Sequence, residues 1–167
     1  MVNLGSPDST SPKDVKKYLA EFLMDERVIE YNYFFRWLLV KGIILNTRPK
    51  KSAEAYKKIW WEEGSPLVVL SERLSKKVDK LLEMPVSLAM RYGSMSINKG
   101  LKELTEKGVD KVIVLPMYPH YAMSSYETVI AKVESEINKY FPKLRKAIIP
   151  PFYNDEDYIN LMCKKIG

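Results

Sequence analysis

The 167-residue chain has one cysteine, Cys163, and one histidine, His120. A lone cysteine forms no internal disulfide, which fits a reducing compartment. Zinc sites draw several Cys or His ligands together, and one of each, far apart, gives no preformed metal site. There are only seven glycines. None falls in the G-x-G-x-x-G pattern of dinucleotide folds or the G-x-x-x-x-G-K-[ST] pattern of phosphate loops, so a nucleotide site has no support. No apolar run reaches the roughly 18 to 20 residues that span a bilayer. The opening Met1-Val2-Asn3-Leu4 meets a Gly-Ser-Pro turn without a basic n-region, so it is not read as a signal peptide. No repeat or low-complexity tract is visible.

What is present is ordinary for one folded domain: 46% apolar and 29% charged residues over a length that buries a real core. The net charge is +6 and the pI about 9.2. The lysines are spread along most of the expected helices, which reads as solvated faces rather than a nucleic-acid surface. A few of these charges would serve an anionic small molecule.

Periodicity gives an alternating plan. Met1–Leu4 reads as the tail of a buried strand, so short that a segment upstream is expected to be missing. Ser11 is an expected N-cap with Pro12 in the first helical position. Val15, Leu19, Phe22 and Leu23 then share one helix face. Residues 31–45 (YNYFFRWLLVKGIIL) carry only Arg36 and Lys41 as charges, and Asn46-Thr47-Arg48-Pro49 is expected to stop them. This stretch has two readings, a buried helix or an exposed hydrophobic lip, spanning 31–49, that covers a ligand or dips into a membrane surface. A helix over 50–61 follows, then the Glu62–Pro66 break, then a helix with Leu67, Leu70, Leu74, Val78 and Leu81 in register. Strands are expected at 86–90, 111–115 and 147–149. Helices are expected after each, around Ile97–Leu104, Val129–Ile137 and Asp155–Ile166. This predicts an α/β fold: a doubly wound, mostly parallel, Rossmann-like sheet with helices on both faces.

Ligands on such sheets bind beyond the strand carboxyl ends. Three segments lie there. Leu4-Gly5-Ser6-Pro7 is locally no more than a turn. Arg91-Tyr92-Gly93 offers a guanidinium able to grip a carboxylate and a phenol able to stack on a flat ring, or else a capping salt bridge beside a core tyrosine. Pro116 to Tyr126 brings three tyrosines, His120, and Ser124 or Ser125 as a cap for the next helix, whose N-terminus attracts anions. His120 reads as a metal or proton carrier, or as a hydrogen-bonded structural residue.

The segments VNLGSPDS, DERVIE, RPKKSAEAYKKIW, EEGSPL, SLAMRYG and LPMYPHYAMSS run in order across nearly the whole chain, and together they resemble the ferrochelatase family. The resemblance implies a chelatase-type fold of two similar domains with a porphyrin in the cleft between them. It implies insertion of ferrous iron into protoporphyrin IX, or into coproporphyrin III in some bacteria, as a step of haem synthesis. Residues 1–167 correspond to a single N-terminal domain, with the C-terminal domain absent. Carried over by motif, Leu4 lies under the macrocycle where relatives place methionine or tyrosine; leucine cannot ligate a metal there. Tyr56 and Ser65 match porphyrin-contact positions, and Arg91 and Tyr92 a polar pair in the cleft. Tyr118, His120, Ser124, Ser125 and Tyr126 match a loop facing the metal or a propionate. The family's catalytic histidine belongs to a later H-[GS]-L-P motif, so no catalytic residue is assigned here and His120 does not replace it. Porphyrin and ferrous iron are implied as substrates, with no tightly bound cofactor. The implied partners are the missing domain and, through the lip, a membrane surface. The implied setting is cytoplasmic or peripheral at the membrane. On this reading the chain alone binds porphyrin weakly and does not metallate it. The alternatives are a porphyrin- or haem-binding module without catalysis, or a related coproporphyrin or cobalt chelatase.

Overall fold

The computed structural model of the chain describes residues 1–166. Its elements follow the order β1 (Val2–Asn3), α1 (Pro12–Leu23), α2 (Tyr33–Trp37), a π-helical turn (Leu38–Ile44), α3 (Leu45–Ile59), α4 (Pro66–Leu81), β2 (Ala89–Met90), α5 (Ile97–Glu106), β3 (Lys111–Val114), a second π-helical turn (Met123–Glu127), α6 (Thr128–Tyr140), β4 (Arg145–Ile148) and α7 (Glu156–Ile166). The result is a mixed α/β domain with two small parallel sheets, β1 paired with β2 and β3 with β4. The pairs meet at Val2, whose amide donates to the Leu115 carbonyl and whose carbonyl accepts from the Met117 amide, both at 2.8 Å.

The strands are shorter than the apolar runs predict. Before Ala89, the Val86 amide is taken by the Asp79 carboxylate at 3.1 Å, not by a neighbouring strand. One core lies where Val2, Ala89, Val112 and Val114 meet Ile97 and Leu101 of α5 and Val129, Val133 and Ile137 of α6. Gly100 permits the close approach of α5, since a Cβ there would stand 3.2 Å from that of Ala89. A second core joins Val15, Tyr18, Leu19 and Leu23 of α1 to Val40, Leu45, Ala53 and Tyr92. The α1 face is the predicted one, and its start is built as expected: Pro12 opens the helix and the Ser11 hydroxyl accepts from the Asp14 amide at 3.1 Å.

Three features correct or refine the expectations. First, Pro49 does not end the lip segment; helical structure runs unbroken from Tyr33 to Ile59 with Pro49 inside α3. A proline removes an N–H and crowds the carbonyl four residues back, here Leu45, which directly follows the wider π-helical turn. Carbonyls around that junction find side-chain donors instead. Asn46 Nδ2 donates to Lys41 O and Gly42 O at 3.1 and 2.8 Å, and the Thr47 hydroxyl to Ile43 O at 3.0 Å.

Second, helices do not cover both faces of every strand. Val112 and Val114 point into the core, but Ile113 on the opposite face of β3 is 56% exposed. It borders a cavity of about 630 Å³ lined also by Met1, Val78, Leu82, Met84 and Ile149. Leu70, Leu74 and Leu81 of α4 are exposed although they keep helical register, while Ser71 and Ser75 are buried. The buried face of α4 carries Val69 and the two serines, and Asn3 Nδ2 donates to Ser71 Oγ at 2.9 Å across to β1.

Third, most of the aromatic residues of the 31–45 stretch are exposed while its arginine is buried. Tyr31, Tyr33, Phe34, Phe35, Trp37 and Leu38 are open to solvent, whereas Arg36 is buried and donates through Nη1 to the carbonyls of Ile29 and Tyr31 at 3.1 and 2.8 Å. No described helix is long and apolar enough to cross a membrane.

Candidate functional site

The strand carboxyl ends converge as the parallel pairing requires. The Arg91 amide donates to Asn3 O at 2.7 Å and the Tyr92 amide to Leu4 O at 3.0 Å, so the first two predicted segments lie side by side. Gly5 makes this possible. Its φ is +102°, and a Cβ would stand 2.0 Å from the Tyr92 carbonyl oxygen. Gly93 answers it across the gap, with φ +99° and an amide that donates to Glu21 Oε2 at 3.0 Å.

Beneath this junction is a buried polar cluster that sequence reasoning did not find. Asp25, just beyond α1, accepts from Arg91 Nη2, from the Thr128 hydroxyl, and from the Tyr92 hydroxyl at 3.0 Å, all through Oδ2; its Oδ1 accepts from the Arg27 amide at 2.9 Å. Arg91 Nε donates to Thr128 Oγ1 and O at 2.7 and 3.0 Å, and its guanidinium carbon lies 4.3 Å from the centre of the Tyr92 ring. Burial pushes the Asp25 carboxyl up. The Thr128 hydroxyl, the Arg27 amide, the Arg91 charge and the Tyr92 hydroxyl together outweigh it and hold the group below its ordinary value. The DERVIE segment contains Asp25, but its side-chain partners are 66 to 103 residues away, and no spacing rule links them.

Tyr92 therefore offers no ring face to a ligand. It is 1% exposed, with Phe22 and Tyr18 packed edge-on at 5.1 and 6.5 Å. The expectation that it stacks on a flat ring is corrected on that ground: its ring is core and its hydroxyl is a network member. Burial is the main cause that pushes this phenol up to about 12.

Other predicted residues gather nearby. Leu4 and Tyr56 both pack against the second core, and Tyr56 meets Trp60 edge-on at 6.0 Å. Burial raises the Tyr56, Tyr118 and Tyr18 phenols, and Tyr56, Tyr118 and Tyr92 all act on Tyr18. Four phenols thus share one region. The Tyr118 hydroxyl is enclosed without a hydrogen-bond partner. Ser65 begins α4 but its side chain makes no capping bond. It lines a cavity of about 190 Å³ together with Ser6, Trp60, Tyr92 and Ser94.

The tyrosine-rich loop divides. Tyr126 is buried and its hydroxyl donates to Ile149 O at 2.8 Å. Ser124 and Ser125 do not cap α6, because both already lie in the π-helical turn that leads into it, so no free helix end is left there. His120 stays at the outer rim, exposed and stacked on Tyr153 at 5.6 Å. Among the described residues, no three His, Cys, Asp or Glu side chains are grouped to hold a metal. Arg27 and Glu127, 3.5 Å apart, tie the rim to the Asp25 loop, and Tyr121 donates to the same Glu127.

A parallel α/β domain whose strand ends carry a buried ion-pair network and a group of phenols beside an exposed apolar segment has the layout in which α/β folds commonly place small-ligand sites. The sequence model of the ferrochelatase family matches residues 1–167, and the chain belongs to that family. It is 48% identical over 165 residues to a ferrochelatase of Opitutus terrae, covering 97% of this chain and 48% of the relative. It is 44% identical over 167 residues to one of Pseudomonas syringae pv. tomato, covering 99% and 49%. It is 43% identical over 168 residues to one of Azotobacter vinelandii, covering 100% and 49%. The chain spans about half the length of these curated relatives.

Proposed function

We propose that this chain is the N-terminal half of an enzyme that inserts ferrous iron into protoporphyrin IX, a step of haem synthesis in or at the edge of the cytoplasm. The observation that carries this reading, beyond family membership, is the meeting of the Leu4–Ser6 and Arg91–Gly93 segments over the Asp25 network, beside Tyr118 and the exposed lip. An apolar wall with a few fixed polar groups suits a flat macrocycle bearing carboxylates at its edge. In this reading β2, β1, β3 and β4 act as one doubly wound sheet in that order, with Val2 as its joint. The lip, Phe34 and Trp37 foremost, covers the macrocycle or rests on a membrane surface.

Metallation requires removal of two pyrrole protons and distortion of the ring, with remote binding energy opposing the strain. Leu4 packs under the ring in this account. Tyr118, His120, Ser124, Ser125 and Tyr126 border the path to its centre, and Tyr56 and Ser65 the opposite edge. The principal base is assigned to the half of the relatives that this chain does not span. Alone, the chain binds porphyrin weakly and does not metallate it. The test is a titration with protoporphyrin IX and coproporphyrin III followed at the Soret band, then anaerobic Fe²⁺ or Zn²⁺. A Soret shift without metallation is expected. Turnover at a rate near that of a full-length relative would overturn the division of labour, and no shift with either porphyrin would overturn the binding reading.

A further inference from the structure

Arg91 is held on three sides. Its Nε is occupied by Thr128, its Nη2 by Asp25, and one face of the guanidinium by the Tyr92 ring. Its side chain is 12% exposed and that of Asp25 6%. Among the described residues, Nη1 has no partner. The enclosed Tyr118 hydroxyl is also unpartnered, and the Arg91 charge acts on it. A guanidinium carries five N–H donors in a rigid fork, so fixing Nε and Nη2 fixes where the Nη1 pair points.

We propose that Asp25 is a positioning residue. By pinning one proton of Nη2, with Thr128 on Nε, it leaves the outer edge of Arg91, the Nη1 pair and the second Nη2 proton, as the edge offered to a carboxylate at the rim of the bound ligand. The proposal rests on the porphyrin reading above and adds the residue that sets the direction of its anion contact. Asp25 acts through Arg91 and does not touch the ligand.

The experiment compares binding of protoporphyrin IX with that of its dimethyl ester, in the same mild detergent, by Soret titration of the full chain. The quantity read is the preference for the free acid over the ester. The natural chain is expected to prefer the free acid. Asp25→Asn should reduce that preference about tenfold, the scale of one hydrogen bond to a charged group, while binding of the ester stays unchanged. Arg91→Gln should do the same, and the double variant should lose no more than Arg91→Gln alone. Thr128→Val, which removes one hydroxyl, should reduce the preference less, and Thr128→Ser should retain it. The Thr128 pair carries the test if Asp25→Asn does not fold. An unchanged preference in the folded variants overturns the proposal, as does an additive loss in the double variant, which would mean that Asp25 acts apart from Arg91. Equal binding of acid and ester by the natural chain overturns the proposal but leaves the porphyrin reading standing. Binding of neither ligand overturns both.

Discussion

Replacing Gly5 by alanine should damage this domain more than its single added methyl suggests. Two costs combine. The backbone at Gly5 has φ +102°, a region L-residues enter at a cost of about 1–2 kcal/mol. The new Cβ would also stand 2.0 Å from the Tyr92 carbonyl oxygen and 3.2 Å from the Met90 Cβ. Ordinary contact would require the ends of β1 and β2 to part by about 1 Å or more. The bonds from Arg91 N to Asn3 O and from Tyr92 N to Leu4 O, 2.7 and 3.0 Å, would be lost or stretched, at about 1 kcal/mol each. The sum is about 3–4 kcal/mol, a large part of the 5–15 kcal/mol typical of a domain. Urea unfolding followed by the fluorescence of the three tryptophans reads this as a midpoint lowered by about 2 M, at a slope of about 2 kcal/mol per molar. The control is Gly108→Ala. Its φ is +81° and nothing lies within 4 Å of an added Cβ, so only the backbone cost applies there. If Gly5→Ala costs no more than Gly108→Ala, the close approach of β1 and β2 is not what this glycine serves.

The Asp25 carboxyl is held below its ordinary value in the fold, so its stabilisation is complete above the unfolded value of about 3.9 and disappears as the pH falls through the depressed folded value. Melting curves of the natural chain and Asp25→Asn should therefore differ most near neutrality and converge in acid; a constant gap would refute the assignment. Tyr92 is pushed up to about 12, chiefly by burial, so an ultraviolet titration of Tyr92→Phe against the natural chain should show no missing phenol below about pH 11. Val129→Ala, at a position with no exposed surface between α6 and the strands, should cost about 2 kcal/mol in urea unfolding, whereas Ile113→Ala on the open face of β3 should cost well under half of that.

The sequence made the order of elements legible because the strand runs are short, apolar and β-branched, and the helices between them keep one face. Val15, Leu19 and Leu23 lie where their spacing puts them. What periodicity does not carry is the identity of the covering layer. Leu70, Leu74 and Leu81 keep their register and still face solvent, while Val69, Ser71 and Ser75 on the other side of α4 are buried. Pro49 misled for a related reason: the residues that rescue the helix, Asn46 and Thr47, carry side chains that usually read as stop signals. At the site, Arg91 and Tyr92 were visible as a pair at a strand end, and the alternative of a salt bridge beside a core tyrosine describes their surroundings well. The partner was not visible, since Asp25 and Thr128 come from elements joined to β2 only by the fold. The serines of the tyrosine-rich loop were expected to cap α6, and that expectation depended on a helix start that the π-helical turn moves forward to Ala122.

Val2 has a consequence for synthesis. It is made well before the residues that answer both of its backbone groups, 115 and 117. At roughly 5–20 residues per second of translation, the stretch from Asn3 through Met117 takes roughly 6 to 23 s to add. During that interval the opening strand has β2 as its only strand neighbour once Ala89 and Met90 have been made, and before then it has none. The nascent chain must therefore hold this apolar strand in reserve while α1 to α5 are produced. An arrest series on the ribosome should show protease protection of β1 rising sharply only after the Pro116–Met117 segment has cleared the exit tunnel.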